Sequence, residues 1–495
     1  MPTITIDNQT ITVPAGATLL AAAAELGIRI PTLCHLEGKR PCTSCMVCVV
    51  RVRGGARLLP ACATVATDGM VVESETEEMH MARRTALELL LSDHRGDCEG
   101  PCRLACPAHL DIPTMLRQIA AGALRAAIAT VKAHMPLPAT LGRICPALCE
   151  RGCRRGQHDA PVSICKLTRY VADADLAAGD PYRPPCAPPS GKRVAIIGSG
   201  PAGLSAAYYL LTFGHAVTLH DAHDTPGGRL RADVDPAKLP AAVLDAEIAL
   251  IHALGAEFRL GTRIDDPAAL RSAYDAVLLA TGETGTAAYP QERGIFACRA
   301  PRPRPAVRAV GDGRAAALAL HAWLGGPSLA EPARLFSTHL GHITPDGMAL
   351  MLRHASAAAR IEAAGAFSDA EAVAEAARCL HCDCRKKDAC RLRDRAMALD
   401  ARVHAFRGER REFAQQATPE GLLYESGKCI ACGLCVQIAE GAREELGLAF
   451  VGRGFTVRVA VPFTDELAAG LRRVAGACVA ACPTGAFCWT GSTAP

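Results

Sequence analysis

Twenty-four cysteines, gathered into tight runs at both ends and in the middle of one 495-residue chain, constrain its fold more than any other feature. A chain of this length buries ample apolar surface without disulfide staples, which belong to small secreted domains. The thiols therefore serve another purpose, and their short spacings suit metal ligation. The opening MPTITIDNQTITVPAG alternates like a strand and carries no export signal. The longest apolar stretches are Ala-rich and broken before the roughly 18 to 20 residues that span a bilayer. These features give the expectation of a reducing, cytoplasmic location without a transmembrane segment. Length suggests about three to five modules. A net charge of +4 and few aromatics argue against a nucleic-acid partner.

Residues 3 to 13 alternate apolar and polar, Pro14-Ala15-Gly16 reads as a turn, and TLLAAAAELGI reads as a short helix ending near Gly27. Cys34, Cys45, Cys48 and Cys62 follow, spaced C-x10-C-x2-C-x13-C. Four thiolates from one loop and one distant segment are what a 2Fe-2S cluster takes. Cys42 could replace Cys34 in a different ligand set, and a zinc knuckle is the alternative use of such thiols. The runs LCHLEG, TSCMVCVVRV and LLPACATVATDGMVV resemble the 2Fe-2S ferredoxin domain heading the large iron-sulfur subunit of respiratory complex I and related hydrogenase and formate dehydrogenase subunits.

From about 80 to 175, ARRTALELLLSDH and IPTMLRQIAAGALRAAIATVKAH carry apolar residues at helical spacing. Seven cysteines lie around them, one short of two cubane clusters, and His94 stands four residues before Cys98. An imidazole can replace a thiolate on iron. CRLACPAHLDIPTML, GRICPALCERGC and APVSICKL resemble the N-terminal cluster domain shared by the glutamate synthase small subunit and dihydropyrimidine dehydrogenase. The resemblance implies one 4Fe-4S cluster on Cys98, Cys102 and Cys153 with His94 as fourth ligand. It implies a second on Cys106, Cys145, Cys149 and Cys165.

After the Pro-rich linker PPCAPPSGK comes RVAIIGSGPAGLSAAYYLLTFGHAVTLHD, an apolar strand, Gly198-x-Gly200-Pro201-Ala202-Gly203, a helix, a second strand and Asp221. The glycines permit a tight turn, close approach to a pyrophosphate and close helix packing, and the acid can accept from a ribose hydroxyl. TPGGRL with Gly228 and Arg229, YDAVLLATG with Thr281 and Gly282, and AVRAVGDG with Gly311 and Asp312 resemble FAD-domain motifs of the glutamate synthase small-subunit and pyridine nucleotide-disulfide oxidoreductase families. That resemblance implies Asp312 near the ribityl chain. Only 28 residues separate Gly282 from Gly311, too few for the NAD(P) domain inserted there in fuller relatives, since one βαβ unit takes about 30 or more.

Cys379, Cys382, Cys384 and Cys390, spaced C-x2-C-x-C-x5-C, are compact enough for one 4Fe-4S cluster, with zinc as the competitor. GKCIACGLCVQIAE and CVAACPTGAF resemble the paired-cluster ferredoxin region of formate dehydrogenase and complex I subunits. In the cross-ligated pattern of that family, Cys429, Cys432, Cys435 and Cys482 hold one 4Fe-4S cluster and Cys478 is left over.

The expected fold is multidomain α+β and α/β. It comprises a β-grasp-like 2Fe-2S ferredoxin (1–78), a helical two-cluster domain (79–183) and a Rossmann-like FAD domain (190–330). A helical segment with the CxxCxC motif (331–410) and a ferredoxin-like 4Fe-4S domain (420–495) complete it. The expected cofactors are FAD, one 2Fe-2S cluster and about four 4Fe-4S clusters. Clusters pass single electrons whereas flavin holds two, and no nucleophile elbow, P-loop or acid-base pair marks an independent organic active site. The reading is an oxidoreductase electron-transfer subunit serving a molybdopterin or nickel-iron catalytic partner, or a soluble electron carrier. A stand-alone NAD(P)H-oxidising enzyme and a cluster-bearing scaffold are the alternatives.

Overall fold

The computed structural model describes residues 1–282, 294–298, 305–327, 335–363, 365–464 and 466–490. The chain divides into two compact units. The first comprises Met1–Glu99, Phe336–Leu350 and Asp383–Pro495, and the second Gly100–Leu335 and Met351–Cys382.

In the first unit, β1 (Thr3–Ile6) and β2 (Gln9–Thr12) form an antiparallel hairpin turned by Asp7 and Asn8, both at positive φ, as a two-residue hairpin turn demands. With β3 (Val49–Val52), β4 (Leu58–Pro60) and β5 (Val71–Glu73) they make a mixed sheet of order β2-β1-β5-β3-β4. The Ala-rich helix Leu19–Glu25, capped by Thr18 Oγ1, lays Leu19, Ala22 and Ala23 on Ile4, Ile6, Val50 and Val72. The longer helix Glu77–Asp93 has Thr76 as its cap and two glutamates in its first turn, which suits the helix dipole. The last part of this unit contains the antiparallel strands Gln415–Ala417, Leu422–Glu425 and Phe487–Trp489, with Tyr424 stacked on Phe487 at 4.6 Å.

The second unit joins a helical layer to a parallel sheet. The apolar run from Ile112 forms two helices, Ile112–Ala120 and Leu124–Lys132, because Gly122 turns the chain at φ +70°. Strands β6 (Arg193–Ile197), β7 (Ala216–His220), β8 (Glu257–Arg259), β9 (Ala276–Leu279) and β10 (Ile295–Ala297) are all parallel, in the order β10-β9-β6-β7-β8. The segment with Gly311 and Asp312 lies inside the helix Ala306–Trp323, whose alanines and leucines favour that conformation. Its glycines serve close packing, since a Cβ at Gly311 would strike the Pro107 carbonyl and one at Gly313 the Ala202 carbonyl.

Two buried acids fasten this unit. Glu375 accepts from the Ser163 and Ile361 amides at 2.9 Å each and pairs with Arg378 at 2.9 Å, both side chains wholly buried. Glu247 accepts from the Ala139 and Thr140 amides at 2.6 and 2.9 Å, at the start of the helix Pro138–Ile144 that leads into Cys145. Burial pushes the Glu247 carboxyl up to about 7, although both amides oppose the shift. A carboxyl raised in the fold gives stability that is full below its ordinary pKa and lost as pH rises through about 7. Glu247→Ala should cost about 2 kcal/mol at pH 5 by orphaning the two amides. The gap to the parent should narrow toward pH 8 in thermal unfolding; a gap that widens with pH would contradict this.

Candidate metal and dinucleotide sites

The first unit gathers Cys34, Cys45, Cys48 and Cys62 at the edge of its N-terminal sheet, all buried. Cys34 and Cys45 Sγ lie 3.3 Å apart. Thr43 and Met46 take left-handed backbone conformations, so the loop curls round its thiols. The hydrogen bond from Cys45 brings the Cys34 thiol down to about 5, and that from Cys62 brings Cys48 down to about 7. Their partners Cys45 and Cys62 are pushed up correspondingly. The donor set, four buried thiols with Cys34 and Cys45 in contact, fits an iron-sulfur group. Cys42 is elsewhere engaged, with its Sγ 2.8 Å from Gln437 Nε2.

Cys429, Cys432, Cys435 and Cys482 line one cavity of about 20 Å³ with Val459, Pro483 and Phe487. Ala431 and Gly433 at positive φ wrap the loop. Burial, with the neighbouring Cys482, Cys429 and Cys34 thiols adding, pushes Cys432 up to about 12. Cys478 lies in the helix Ala475–Ala481, directed at the Cys435 carbonyl rather than into that cavity.

Cys98, Cys384 and Cys390 are buried in this same unit. The Cys384 amide donates to the Cys98 carbonyl at 3.2 Å. Burial, then the Cys384, Cys98 and Cys482 thiols, pushes Cys390 up to about 12. A Cβ at Gly485 would collide with Cys384 Sγ. His94 is also buried, with no hydrogen-bond partner for Nδ1, and burial beside Lys428, Arg410 and Arg411 keeps it neutral with a pKa of about 3.

In the second unit, Cys106, Cys145, Cys149 and Cys165 line a cavity of about 20 Å³. The hydrogen bond with Cys165 pushes Cys145 up, and burial does the same to Cys106. Thiols raised in this way stay protonated until a metal takes the proton's place.

A cleft of about 750 Å³ opens at the carboxyl end of the parallel sheet, where open α/β sheets take ligands. Gly200, Pro201, Ala202, Asp221, Gly228, Arg229, Thr281, Gly282 and Asp312 line it. Gly198 and Gly203 stand behind: Gly198 turns at φ +104° under the Ala280 carbonyl, and a Cβ at Gly203 would strike the Gly198 carbonyl. Burial raises the Asp221 carboxyl, but hydrogen bonds from Ser199 and His223 outweigh it and leave the pKa lowered. The cleft and the four-thiol cavity share a wall. Ile144 and Ala306 face the cleft, and their neighbours Cys145 and Val307 face the thiols. Sequence reasoning missed His223 and Cys298 on the cleft, since neither sits in a spacing motif.

Cys102, Cys153, Cys379 and Cys382 also belong to the second unit, so the sequence-assigned sets His94/Cys98/Cys102/Cys153 and Cys379/Cys382/Cys384/Cys390 each divide between the units. Among the described residues, no three His, Cys, Asp or Glu side chains converge on a single point as one bound metal ion requires. None of the described helices is long and apolar enough to cross a membrane.

Three family models match the chain: a 2Fe-2S iron-sulfur cluster binding domain over residues 1–77, dihydropyrimidine dehydrogenase domain II with a 4Fe-4S cluster over 78–179, and an NAD(P)-binding Rossmann-like domain over 196–259. The NADP(+)-dependent formate dehydrogenase subunit beta of Moorella thermoacetica is 40% identical over 206 residues, 37% of this chain and 29% of that protein. The NADPH-Fe(3+) oxidoreductase subunit beta of Geobacter sulfurreducens is 36% identical over 189 residues, 37% of this chain and 28% of that protein. The NAD-dependent dihydropyrimidine dehydrogenase subunit PreT of Salmonella typhimurium is 36% identical over 189 residues, 37% of this chain and 46% of that protein. The chain thus spans less than half the length of each of these relatives.

Cys42→Ala should leave the EPR signal of a reduced 2Fe-2S cluster in place, while Cys34→Ala should abolish or strongly shift it. The reverse result would move the ligand from Cys34 to Cys42.

Proposed function

We propose that this chain is an iron-sulfur flavoprotein that carries electrons as a subunit of a larger oxidoreductase. The shared wall carries this reading: a cleft sized for one dinucleotide lies beside four gathered thiols, with Ile144 and Ala306 lining the cleft and the next residues, Cys145 and Val307, lining the thiol cavity. Consecutive Cα atoms are about 3.8 Å apart, so redox groups held on the two sides would be close neighbours.

FAD is the occupant this reading assigns to the cleft. Gly200 and the start of the helix Pro201–Thr212 would receive its pyrophosphate, Asp221 a ribose hydroxyl, and Asp312 the ribityl side. When bound, FAD supplies the exchange between two-electron and one-electron chemistry. The four-thiol sets support one 2Fe-2S cluster on Cys34, Cys45, Cys48 and Cys62. They support 4Fe-4S clusters on Cys106, Cys145, Cys149 and Cys165, and on Cys429, Cys432, Cys435 and Cys482. Two further clusters would draw on the remaining central cysteines and His94. In the first unit the sets are neighbours, since Cys432 feels Cys34 and Cys390 feels Cys482. The partner would be a catalytic subunit of molybdopterin or nickel-iron type, or a soluble carrier, in a cytoplasmic setting.

A second reading rests on the match to an NAD(P)-binding Rossmann-like domain over residues 196–259. The cleft would then receive a nicotinamide dinucleotide and the chain would oxidise NADH or NADPH on its own.

Anaerobic visible and EPR titration with NADH, NADPH and then dithionite, alongside flavin and iron counts, separates the two. Reduction by dithionite alone, with about one flavin per chain, supports the relay. Rapid bleaching by a nicotinamide in the isolated chain overturns it in favour of the second reading.

A further inference from the structure

Two of the expected ligand sets, one implied by the family resemblance and one by spacing, are cut by the division into units, and the cuts fall at matching places. One lies after Glu99, between Cys98 and Cys102, and the other after Cys382, just before Asp383 and Cys384. Sorting the same cysteines by unit gives two new sets, each with local structure that draws it together.

In the first unit, the backbone hydrogen bond from Cys384 to the Cys98 carbonyl ties the two loops at 3.2 Å. Cys98 Sγ lies 3.3 Å from Thr338 Oγ1, whose hydroxyl donates to the Gly96 carbonyl at 2.6 Å, which fixes the Cys98 turn. Cys390 Sγ points at the Pro483 carbonyl, and Gly485, two residues on, leaves space that Cys384 Sγ enters. The surroundings suit an anionic group. Lys428, buried and ion-paired with Glu425, reaches the same Gly485 position that Cys384 Sγ approaches.

In the second unit, a Cβ at Gly152 would lie 3.0 Å from both the Ala105 Cβ and the Pro101 carbonyl, which seats the Cys153 turn against the short helix that carries Cys102. Arg155 donates to the Arg378 carbonyl at 3.1 Å, which fixes the same turn beside Cys379. His381 donates its amide to Cys379 Sγ at 3.5 Å, and its ring contacts Arg117 at 3.4 Å. Its left-handed backbone turns the chain between Cys379 and Cys382.

We propose that Cys98, Cys384 and Cys390 are thiolate ligands of one 4Fe-4S cluster, and that Cys102, Cys153, Cys379 and Cys382 hold another. The cysteine run from 379 to 390 then serves two clusters, not one, and its last two thiols belong with Cys98. This grouping rests on the iron-sulfur reading above and refines it. Two further buried side chains of the same unit, Cys488 and His94, are the candidates for the fourth position of the first set.

The grouping makes opposite statements about two double variants of the full, anaerobically reconstituted chain. Cys98→Ala/Cys384→Ala removes two ligands of one cluster and should lose about four iron atoms of the roughly 18 that one 2Fe-2S and four 4Fe-4S clusters contain. Cys98→Ala/Cys102→Ala touches two clusters and should lose about eight. The sets expected from resemblance and spacing predict eight and four. Where a cluster survives loss of one thiolate, single variants are compared by EPR and Mössbauer spectroscopy. Cys98→Ala, Cys384→Ala and Cys390→Ala should shift one common signal, and Cys102→Ala, Cys153→Ala and Cys379→Ala a different one. A signal shifted in common by Cys98→Ala and Cys102→Ala overturns the grouping, whereas an unsubstituted chain that takes up no iron overturns the reading beneath it.

Discussion

Thiols gathered in buried places repel one another once they ionise, and this constraint governs both units. Two unit charges about 4 Å apart repel by about 4 kcal/mol at an effective dielectric near 20. The consequence is visible at Cys106, Cys390, Cys432 and Cys435, where burial and neighbouring thiols all push the thiol up. A chain that assembles so many of these groups spends folding free energy that metal binding must offset, because cluster iron both replaces the protons and neutralises the charge. The N-terminal set departs from this pattern. Hydrogen bonding to Cys45 and Cys62 lowers the Cys34 and Cys48 thiols while raising their partners.

The protein's polar interior serves the same end. Glu247 caps the helix that delivers Cys145, and Glu375 with Arg378 holds the strand-free segment before Cys379 against the loop at 159–163. Each is a buried carboxyl: Glu247 accepts from two backbone amides, and Glu375 accepts from amides and pairs with Arg378. Breaking a buried ion pair such as Glu375–Arg378 typically costs about 3 to 5 kcal/mol, and both carboxyls fix the positions of cysteine-bearing loops that have little regular structure of their own. The short helices Pro101–Ala105 and Leu148–Arg151 could not hold a ligand in place by helical stability alone.

How legible each site was in the sequence depended on how local it is. Cys429, Cys432 and Cys435 fall within seven residues, and Cys45 and Cys48 within four, so spacing alone places them together. The dinucleotide cleft was equally legible, since strand, glycine turn, helix and acid follow one another and the fold keeps them in order from β6 to Asp221. Gly311 and Asp312 were legible only in part. Their motif marks the cleft through Asp312, but the conformation is helical because an Ala-rich run after Pro305 outweighs the two glycines. The run from Cys379 to Cys390 was least legible. Spacing records which cysteines are near one another in the chain, while the Cys384 amide finds its partner at Cys98, nearly 300 residues away.

The cleft sets the direction in which the chemistry can be divided. Its floor is the glycine turn after β6, and its side is the start of the helix from Ala306, where Asp312 raises the nearby Cys298 thiol beyond the effect of burial. A volume of about 750 Å³ lies within the range of a single bound cofactor. A second dinucleotide bringing a hydride would need its own strand-turn-helix cradle, and the 28 residues between Gly282 and Gly311 are too few for one. The four thiols behind Ile144 and Val307, by contrast, stand next to the cleft in the fold itself. In the proposed reading, one-electron exchange past Ile144–Cys145 and Ala306–Val307 would be the exit for a dinucleotide held in the cleft.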